Sequence, residues 1–485
     1  MNQAIRNSWI VAIALFILLF GSISYVQFFD ADSLNANPSN NRQLLKTFCS
    51  DRGPILVGGH PIAESVATDS DCKYQRQYND PQLYAGLTGF YSKYAGQYGL
   101  ESAMRDELAG TTNAALFDRI SQAFTGARPQ GQSVALTIDP AIQKMAYDMI
   151  PNGIAGSIVV MNPKTGAIVA MVSKPSYDTN VMASHDQKSV DAAYAKLVNV
   201  PGIDLFGSAA YKQTYAPGSV FKLVDTAAAL SSGKYNKDTV LPNPAAMKFP
   251  GISYTLPNYL YGQCDTRDKA SFAFALENSC NTPFASIALD LGQDAITAQA
   301  DKFGFNDNSL TFPDAVTASR FPGSTAALDK PALARSAIGQ QDVTATPLQI
   351  AMMTAAIANG GTQMKPNLVQ AVRTPDLRTV ESLKPEVLRQ STTPEIASQI
   401  TQWMVDVVDQ GIAGAAAVPG VEVAGKTGTA EVGNTGLNNA WFTGFAPAND
   451  PQYVVTIMMP NVDVATGAAL TSPNASKLFK AVLKK

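Results

Sequence analysis

"YAPGSVFKLV", residues 215–224, places a serine and a lysine three apart at the head of an apolar run, just after Pro217 and Gly218. Two readings compete. The first is a helix start with a stray lysine. The second is a nucleophile with its base one turn away. The pattern alone does not decide, because Ser-x-x-Lys occurs three times, at Ser70/Lys73, Ser219/Lys222 and Ser231/Lys234. Ser70 and Lys73 flank Cys72 in a polar loop without helical periodicity. Ser231 and Lys234 bracket Gly233, at the C-terminal end of a predicted helix over 217–232, where the dipole is negative. Ser219 lies at the start of that helix, where unpaired N–H groups can stabilise a developing oxyanion. Residues three apart share a helix face, so Lys222 lies beside Ser219. A lysine acts as a base only after losing its proton, which requires burial or a neighbouring cation.

Two further short patterns can complete such a site. Ser-x-Asn begins at Ser33, Ser39, Ser279 and Ser472, and Lys-Thr-Gly at Lys164 and Lys426. Ser33 and Ser39 fall in a polar stalk, "ADSLNANPSNNRQLL", and Ser472 precedes a proline near the C-terminus. Lys164 sits in a predicted hairpin turn, Asn162–Gly166, inside "GSIVVMNPKTGAIVAMVS" (156–173). The surviving ordered set is Ser219/Lys222, Ser279-Cys280-Asn281 and Lys426-Thr427-Gly428-Thr429.

The rest of the chain limits what this set can belong to. Its 485 residues suffice for two or three domains, with 46% hydrophobic and 15% charged residues and a net charge of −3. That composition suits a packed core and offers no basic stripe for nucleic acid. Only two histidines occur, His60 and His185, which rules out a three-histidine zinc site; neither has a G-x-S-x-G partner. No metal or cofactor is expected.

Residues 9–29 form an uncharged apolar stretch long enough to cross a bilayer. Arg6 and the amino terminus before it, and Asp30 and Asp32 after it, predict a cytoplasmic tail over 1–8 and an extracytoplasmic remainder. A cleaved signal peptide ending near Ser22-Ile23-Ser24 is the competing reading; the apolar run continues past it to Phe29, which favours an anchor. The four cysteines, Cys49, Cys72, Cys264 and Cys280, then lie where disulfides can form. They allow three pairings. The two local ones, Cys49–Cys72 and Cys264–Cys280, are the expectation, against four buried thiols.

A linker over 125–139 sets a domain boundary near residue 132, and "YGLESAMRDELAG" (98–110) reads as a short helix before it. Beyond it come a buried helix over 346–361, strands over 421–432, 440–447 and 452–459, and a closing helix. Strands at both ends with helices between predict an α+β fold, an antiparallel sheet covered by helices.

The three motifs together resemble the signature of penicillin-binding proteins. The chain is similar to class B penicillin-binding proteins, of the short actinobacterial type called penicillin-binding protein A. The likeness extends to "RGPIL" (52–56), "LTIDPAIQ" (136–143), "KPSYDTN" (174–180) and "AIGQQDVTATPLQIA" (337–351). It implies the penicillin-recognising serine transpeptidase fold, an α/β sandwich with a five-stranded antiparallel sheet over 132–485. It also implies a smaller, elongated pedestal or dimerisation-type domain over 30–131.

The implied activity is peptidoglycan D,D-transpeptidation through an acyl-enzyme on Ser219, with release of D-Ala and covalent inhibition by β-lactams. In that scheme Lys222 is the general base, and Ser279 relays a proton to the departing nitrogen. Asn281 holds Lys222 and the substrate backbone. Lys426 lowers the Lys222 pKa and attracts the substrate carboxylate, to which Thr427 and Thr429 offer hydroxyls. Gly428 leaves room along the strand edge, and the N–H groups of Ser219 and Thr429 form the oxyanion hole. Cys280 departs from the residues some relatives carry in the middle of the second motif. The implied partners are stem peptides ending in D-Ala-D-Ala, β-lactams, the membrane, a membrane glycosyltransferase and other division or elongation proteins.

Alternatives are a D,D-carboxypeptidase, a β-lactam sensor and a non-catalytic scaffold. A sensor needs a cytoplasmic signalling domain, a scaffold tolerates broken motifs, and water replaces the acceptor amine in a carboxypeptidase. A β-lactamase needs a deacylating glutamate, and none occurs between Glu277 and Glu381. A bifunctional enzyme needs an E-D-x-x-F-x-x-H-type segment, which residues 30–130 lack.

Overall fold

The computed structural model describes residues 3–28, 30, 48–70, 72–112, 130–259 and 262–484. The stalk expected over 31–45 lies outside them, as does the start of the linker over 125–129. Gln3–Phe28 is a single helix. Its segment Ile5–Gln27, with a mean hydropathy of 2.4, is long and apolar enough to cross a membrane.

The catalytic-motif half of the chain is built on a five-stranded antiparallel sheet. The strand Ala424–Glu431 forms one edge and is followed across the sheet by Asn438–Ala446, Tyr453–Val462, Gly156–Met161 and Ile168–Lys174. The hairpin read from 156–173 is present, its strands joined through Asn162–Gly166. The two central pairings need unbroken apolar strands, and all six residues of Gly156–Met161 are buried. One face carries the Pro347–Ala358 and Pro394–Asp409 helices, and the other the Pro140–Asp148 and Ser472–Leu483 helices. Pro347–Ala358 is buried on nearly every side, as a mostly apolar helix between layers must be. Among the described residues its polar tie to the sheet is a threonine chain: Thr354 to Thr443 at 2.7 Å and Thr443 to Thr456 at 2.8 Å.

A second, six-stranded sheet joins Ile55–Val57, His60–Ala67 and Tyr74–Tyr78 to Ser133–Leu136, Val369–Arg373 and Thr379–Ser382. The chain therefore returns to this sheet after leaving it. Ser133–Leu136 lies between Ile55–Val57, parallel, and Val369–Arg373, antiparallel. Beside the sheet, Glu101 is fully buried and accepts from Arg52 Nε and Arg76 Nε, both at 2.6 Å. Burial pushes the Glu101 carboxyl up, but Arg76 and Arg52 outweigh it and hold it below the ordinary glutamate value. The single helix expected over 98–110 is two, Leu100–Ala103 and Arg105–Ala109, separated at Met104. The break turns the chain so that Arg52, on a different segment, can reach both the Glu101 carboxylate and the Arg105 carbonyl.

Candidate active site

The turn carrying Ser219 differs from the expected continuous helix. Gly218–Phe221 is a 3₁₀ turn, and the α-helix begins only at Lys222 and runs to Ser231. A 3₁₀ turn sets residues i and i+3 directly one above the other, so Ser219 and Lys222 align more closely than on an α-helix. Backbone contacts impose the tighter turn. Gly218 has φ +55°, and a Cβ there would meet Thr429 O at 2.8 Å. The Gly218 N–H donates to Gly339 O at 2.9 Å, and Trp441 Nε1 donates to Ala216 O at 2.9 Å. A Cβ on Gly339 would lie 2.1 Å from Gly218 O. Gly339, in the "AIGQQDVTATPLQIA" stretch, and Trp441, on the neighbouring strand, thus brace the turn. No motif pointed to either.

Ser279 sits between the helices Phe272–Glu277 and Asn281–Leu291. Its φ is +57°, a left-handed conformation that a non-glycine residue adopts only where its surroundings enforce it. The Cys264–Cys280 disulfide anchors the next residue. This turned backbone aims the Ser279 carbonyl and hydroxyl at the two lysines. Lys222 Nζ donates to Ser279 O at 2.7 Å, to Asn281 Oδ1 at 2.8 Å and more weakly to Ser279 Oγ at 3.4 Å. Lys426 Nζ donates to Ser279 Oγ at 2.8 Å and to Thr427 O at 2.9 Å. Among the described residues, Lys222 Nζ is held by Ser279 and Asn281 and makes no hydrogen bond to Ser219 Oγ. Such bonds often form only when substrate is in place.

Both lysines are 0% exposed. Burial, then the Lys426 charge, hold Lys222 well below the ordinary lysine range; Asp225 opposes them. Burial brings Lys426 down to about 7. Lys222 is thereby biased toward its free-base form, beside a second buried amine whose hold on its proton is also weakened.

Ala424–Glu431 alternates as a strand must. Lys426, Gly428 and Ala430 are buried, whereas Thr427 is half-buried and Thr429 and Glu431 are exposed. Thr427 and Thr429 therefore present their hydroxyls on the open face. Gly428 has an additional reason to lack a side chain. A Cβ there would lie 2.6 Å from Pro217 O and 3.2 Å from Val220 N, so glycine lets the strand close onto the turn carrying Ser219. The same approach brings Thr429 N within 3.1 Å of the position a Gly218 Cβ would take, next to Ser219.

The structure thus brings Ser219, Lys222, Ser279, Asn281, Lys426, Thr427, Gly428 and Thr429 together in one place. The other pattern matches lie elsewhere. Lys164 is exposed and pairs with Asp450, Lys234 pairs with Asp290, and Ser70 bonds the Cys72 carbonyl. Cys49 and Cys72 are bonded to each other. Asp225 was also absent from the expected set: it is fully buried near Lys222, and neither carboxyl oxygen has a hydrogen-bond partner among the described residues.

Comparison with known proteins follows from this geometry. A family model described as "Penicillin binding protein transpeptidase domain" matches residues 156–484, and one described as "Penicillin binding protein A dimerisation domain" matches residues 52–134. The chain is 38% identical to the peptidoglycan D,D-transpeptidase PbpA of Mycolicibacterium smegmatis, over 100% of this chain and 99% of that protein. It is 36% identical to PbpA of Mycobacterium tuberculosis, again over 100% of this chain and 99% of that protein. Among solved structures, penicillin-binding protein A from M. tuberculosis as a ceftriaxone acyl-enzyme complex superposes with a TM-score of 0.85. That match has 35% identity and covers 90% of this chain and all of the other. The penicillin G acyl-enzyme complex of the same protein matches with a TM-score of 0.83 at 36% identity, over 90% of this chain and 100% of that one.

Proposed function

Because this chain belongs to the penicillin-binding proteins with a transpeptidase domain, we propose that Ser219 is its acylated nucleophile and Lys222 the base that activates it. The protein is a serine-type peptidoglycan D,D-transpeptidase, inhibited covalently by β-lactams. The observation that carries the assignment of residues is the shared hydroxyl. Two buried lysines converge on Ser279 Oγ, and one of them, Lys222, opens the helix that follows the 3₁₀ turn of Ser219.

The steps follow from that arrangement. The carboxylate of a stem peptide ending in D-Ala-D-Ala is drawn to Lys426 and accepts from the Thr427 and Thr429 hydroxyls. The peptide runs along the open edge of Ala424–Glu431. Lys222, uncharged, takes the Ser219 proton as Oγ attacks the carbonyl between the two D-alanines. The negative charge forming on that oxygen meets the N–H groups of Ser219 and Thr429. Ser279 Oγ bridges Lys222 and Lys426 and can pass the proton to the departing D-Ala nitrogen. An acceptor amine from a second stem peptide then attacks the acyl-enzyme and returns the serine.

Residues 9–29 are the proposed anchor, with the amino terminus cytoplasmic and the catalytic domain outside. Residues 30–131 serve as a pedestal and 132–485 as the transpeptidase domain. A membrane glycosyltransferase is the proposed working partner. Labelling of the full-length protein by a fluorescent penicillin tests the centre of this reading: Ser219→Ala abolishes the label, and a label that persists refutes Ser219 as the nucleophile.

A further inference from the structure

Between the nucleophile helix and the Ser279 turn, the chain makes two small antiparallel ribbons. Val240–Pro242 pairs with Lys269–Ser271, and Ala246–Lys248 pairs with Thr255–Pro257. Two polar side chains of this segment are almost fully buried, Asn243 at 1% exposed and Asn258 at 2%. Buried amides in that position must be fully bonded or they cost stability.

They are bonded to the catalytic turn. The Asn281–Leu291 helix lacks a local cap, since the residue before it, Cys280, makes no side-chain capping bond and spends its sulfur in the disulfide. The first N–H groups of the helix would be left without partners. Asn258 supplies one from a distance: its Oδ1 accepts from Asn281 N at 2.8 Å and Thr282 N at 3.1 Å. Its Nδ2 donates to Asn243 Oδ1 at 2.8 Å and Pro244 O at 3.2 Å. Asn243 Nδ2 in turn donates to Cys264 O at 2.6 Å and Arg267 O at 2.8 Å. Because those last two partners only accept, the oxygen and nitrogen of both amides are assigned without ambiguity. The neighbouring Pro257 O accepts from Asn281 Nδ2 at 2.9 Å, which leaves Asn281 Oδ1 facing Lys222 Nζ.

We infer that Asn258 is a positioning residue for acylation: by capping the Asn281–Leu291 helix from outside, it fixes the Asn281 oxygen against Lys222. The inference rests on the reading of Lys222 as the base. It extends the working machinery beyond the three motifs, to a segment that carries none of their residues. Asn243 acts one step further out, by holding the Asn258 amide in the orientation that caps.

The consequences separate from those of a structural bond. Without Asn258, two buried N–H groups lose their acceptor and Asn281 is tethered by its side chain alone. Displacing a catalytic group by about 1 Å costs on the order of a hundredfold in rate. A hydrogen bond to the ammonium form favours that form, so its loss lets Lys222 shed its proton at lower pH. A merely structural bond would lower the melting temperature and leave the pH profile in place.

The experiment uses full-length protein in detergent, with the second-order rate constant for acylation by a fluorescent penicillin measured across pH and melting temperatures in parallel. Asn258→Ala is expected to acylate Ser219 roughly ten- to a hundredfold more slowly, with the acidic limb of the profile moved to lower pH. Asn243→Ala, which keeps both capping bonds, is expected to move the same way by less. A folded Asn258→Ala with a rate within about threefold of the parent and an unmoved limb overturns the inference. If Asn258→Ala does not fold, Asn243→Ala decides, and a parent-like rate and limb overturns it. Failure of the parent itself to label at Ser219 would instead sink the reading beneath.

Discussion

Lys426→Met removes one buried charge and keeps a side chain of similar length. Its expected effect can be worked from the site. Nζ of Lys222 and Nζ of Lys426 lie 3.4 and 2.8 Å from the same oxygen, Ser279 Oγ. They are therefore roughly 6 Å apart at most, where two unit charges repel by about 3 kcal/mol at an effective dielectric near 20. That repulsion lowers the proton affinity of Lys222. Burial, the larger cause of its lowered pKa, is untouched by the substitution. In the parent, Lys426 in its protonated form, favoured below about 7, resists protonation of Lys222. In Lys426→Met the resistance from the neighbour is gone, so Lys222 protonates at higher pH and loses its function as a base sooner.

The assay is the acylation rate constant for a fluorescent penicillin against pH. The acidic limb should move to higher pH. The parent's decline on the basic side, as Lys426 loses its proton near about 7, should vanish. Weaker attraction for the β-lactam carboxylate lowers the whole curve without moving its midpoints, so limb position is the quantity to read. An acidic limb within about 0.3 units of the parent would refute the argument that Lys426 holds Lys222 in the free-base form.

Three other outcomes are expected. Cys264→Ser with Cys280→Ser opens a loop of sequence separation 16. This should lower stability by about 3 kcal/mol in chemical denaturation and slow acylation, because Cys280 lies between Ser279 and Asn281; unchanged acylation would show that the disulfide does not hold the turn. Gly428→Ala puts a Cβ 2.6 Å from Pro217 O, and overpacking of that kind costs about 1–3 kcal/mol. Its label should be slower than the parent's at every pH, since the nucleophile turn itself must shift. Among the described residues the buried Asp225 carboxyl has no hydrogen-bond partner, and burial raises its pKa well above the aspartate range. The folded protein then binds a proton there that the unfolded chain has released. Stability falls as pH rises from the unfolded pKa of Asp225 toward its folded one. Asp225→Asn removes that dependence, so its melting temperature should decline less than the parent's as pH rises above about 4; parallel curves would count against a protonated Asp225.

Much of the architecture was readable because the catalytic sheet is made of long apolar strands with turn residues between them. The strands over 156–173 and 452–459 and the helix over 346–361 show as apolar runs bounded by turn residues. The interruption at Gly218–Phe221 was not readable. Nothing in "PGSVF" prefers a 3₁₀ turn over an α-helix; Thr429 and Gly339, more than a hundred residues downstream, crowd Gly218 and decide it. The break at Met104 has the same origin, since Arg52 and Arg76 converge on Glu101 from other segments.

The site divides along the same line. The residues' order and chemistry, a serine and lysine one turn apart, then Ser-Cys-Asn, then Lys-Thr-Gly-Thr, were enough by themselves to select Ser219 over Ser70 and Ser231. They were enough to require a second cation near Lys222. They could not say that the cation and the base share one hydroxyl, that Gly428 is small for the sake of the Pro217 turn, or that Asn258 caps the Asn281 helix. Those are contacts between segments far apart in the chain. Side-chain identity is local and can be read in order, whereas burial, which sets the proton affinities of Lys222 and Lys426, exists only once the strand, the helix and the Ser279 turn have closed on one another.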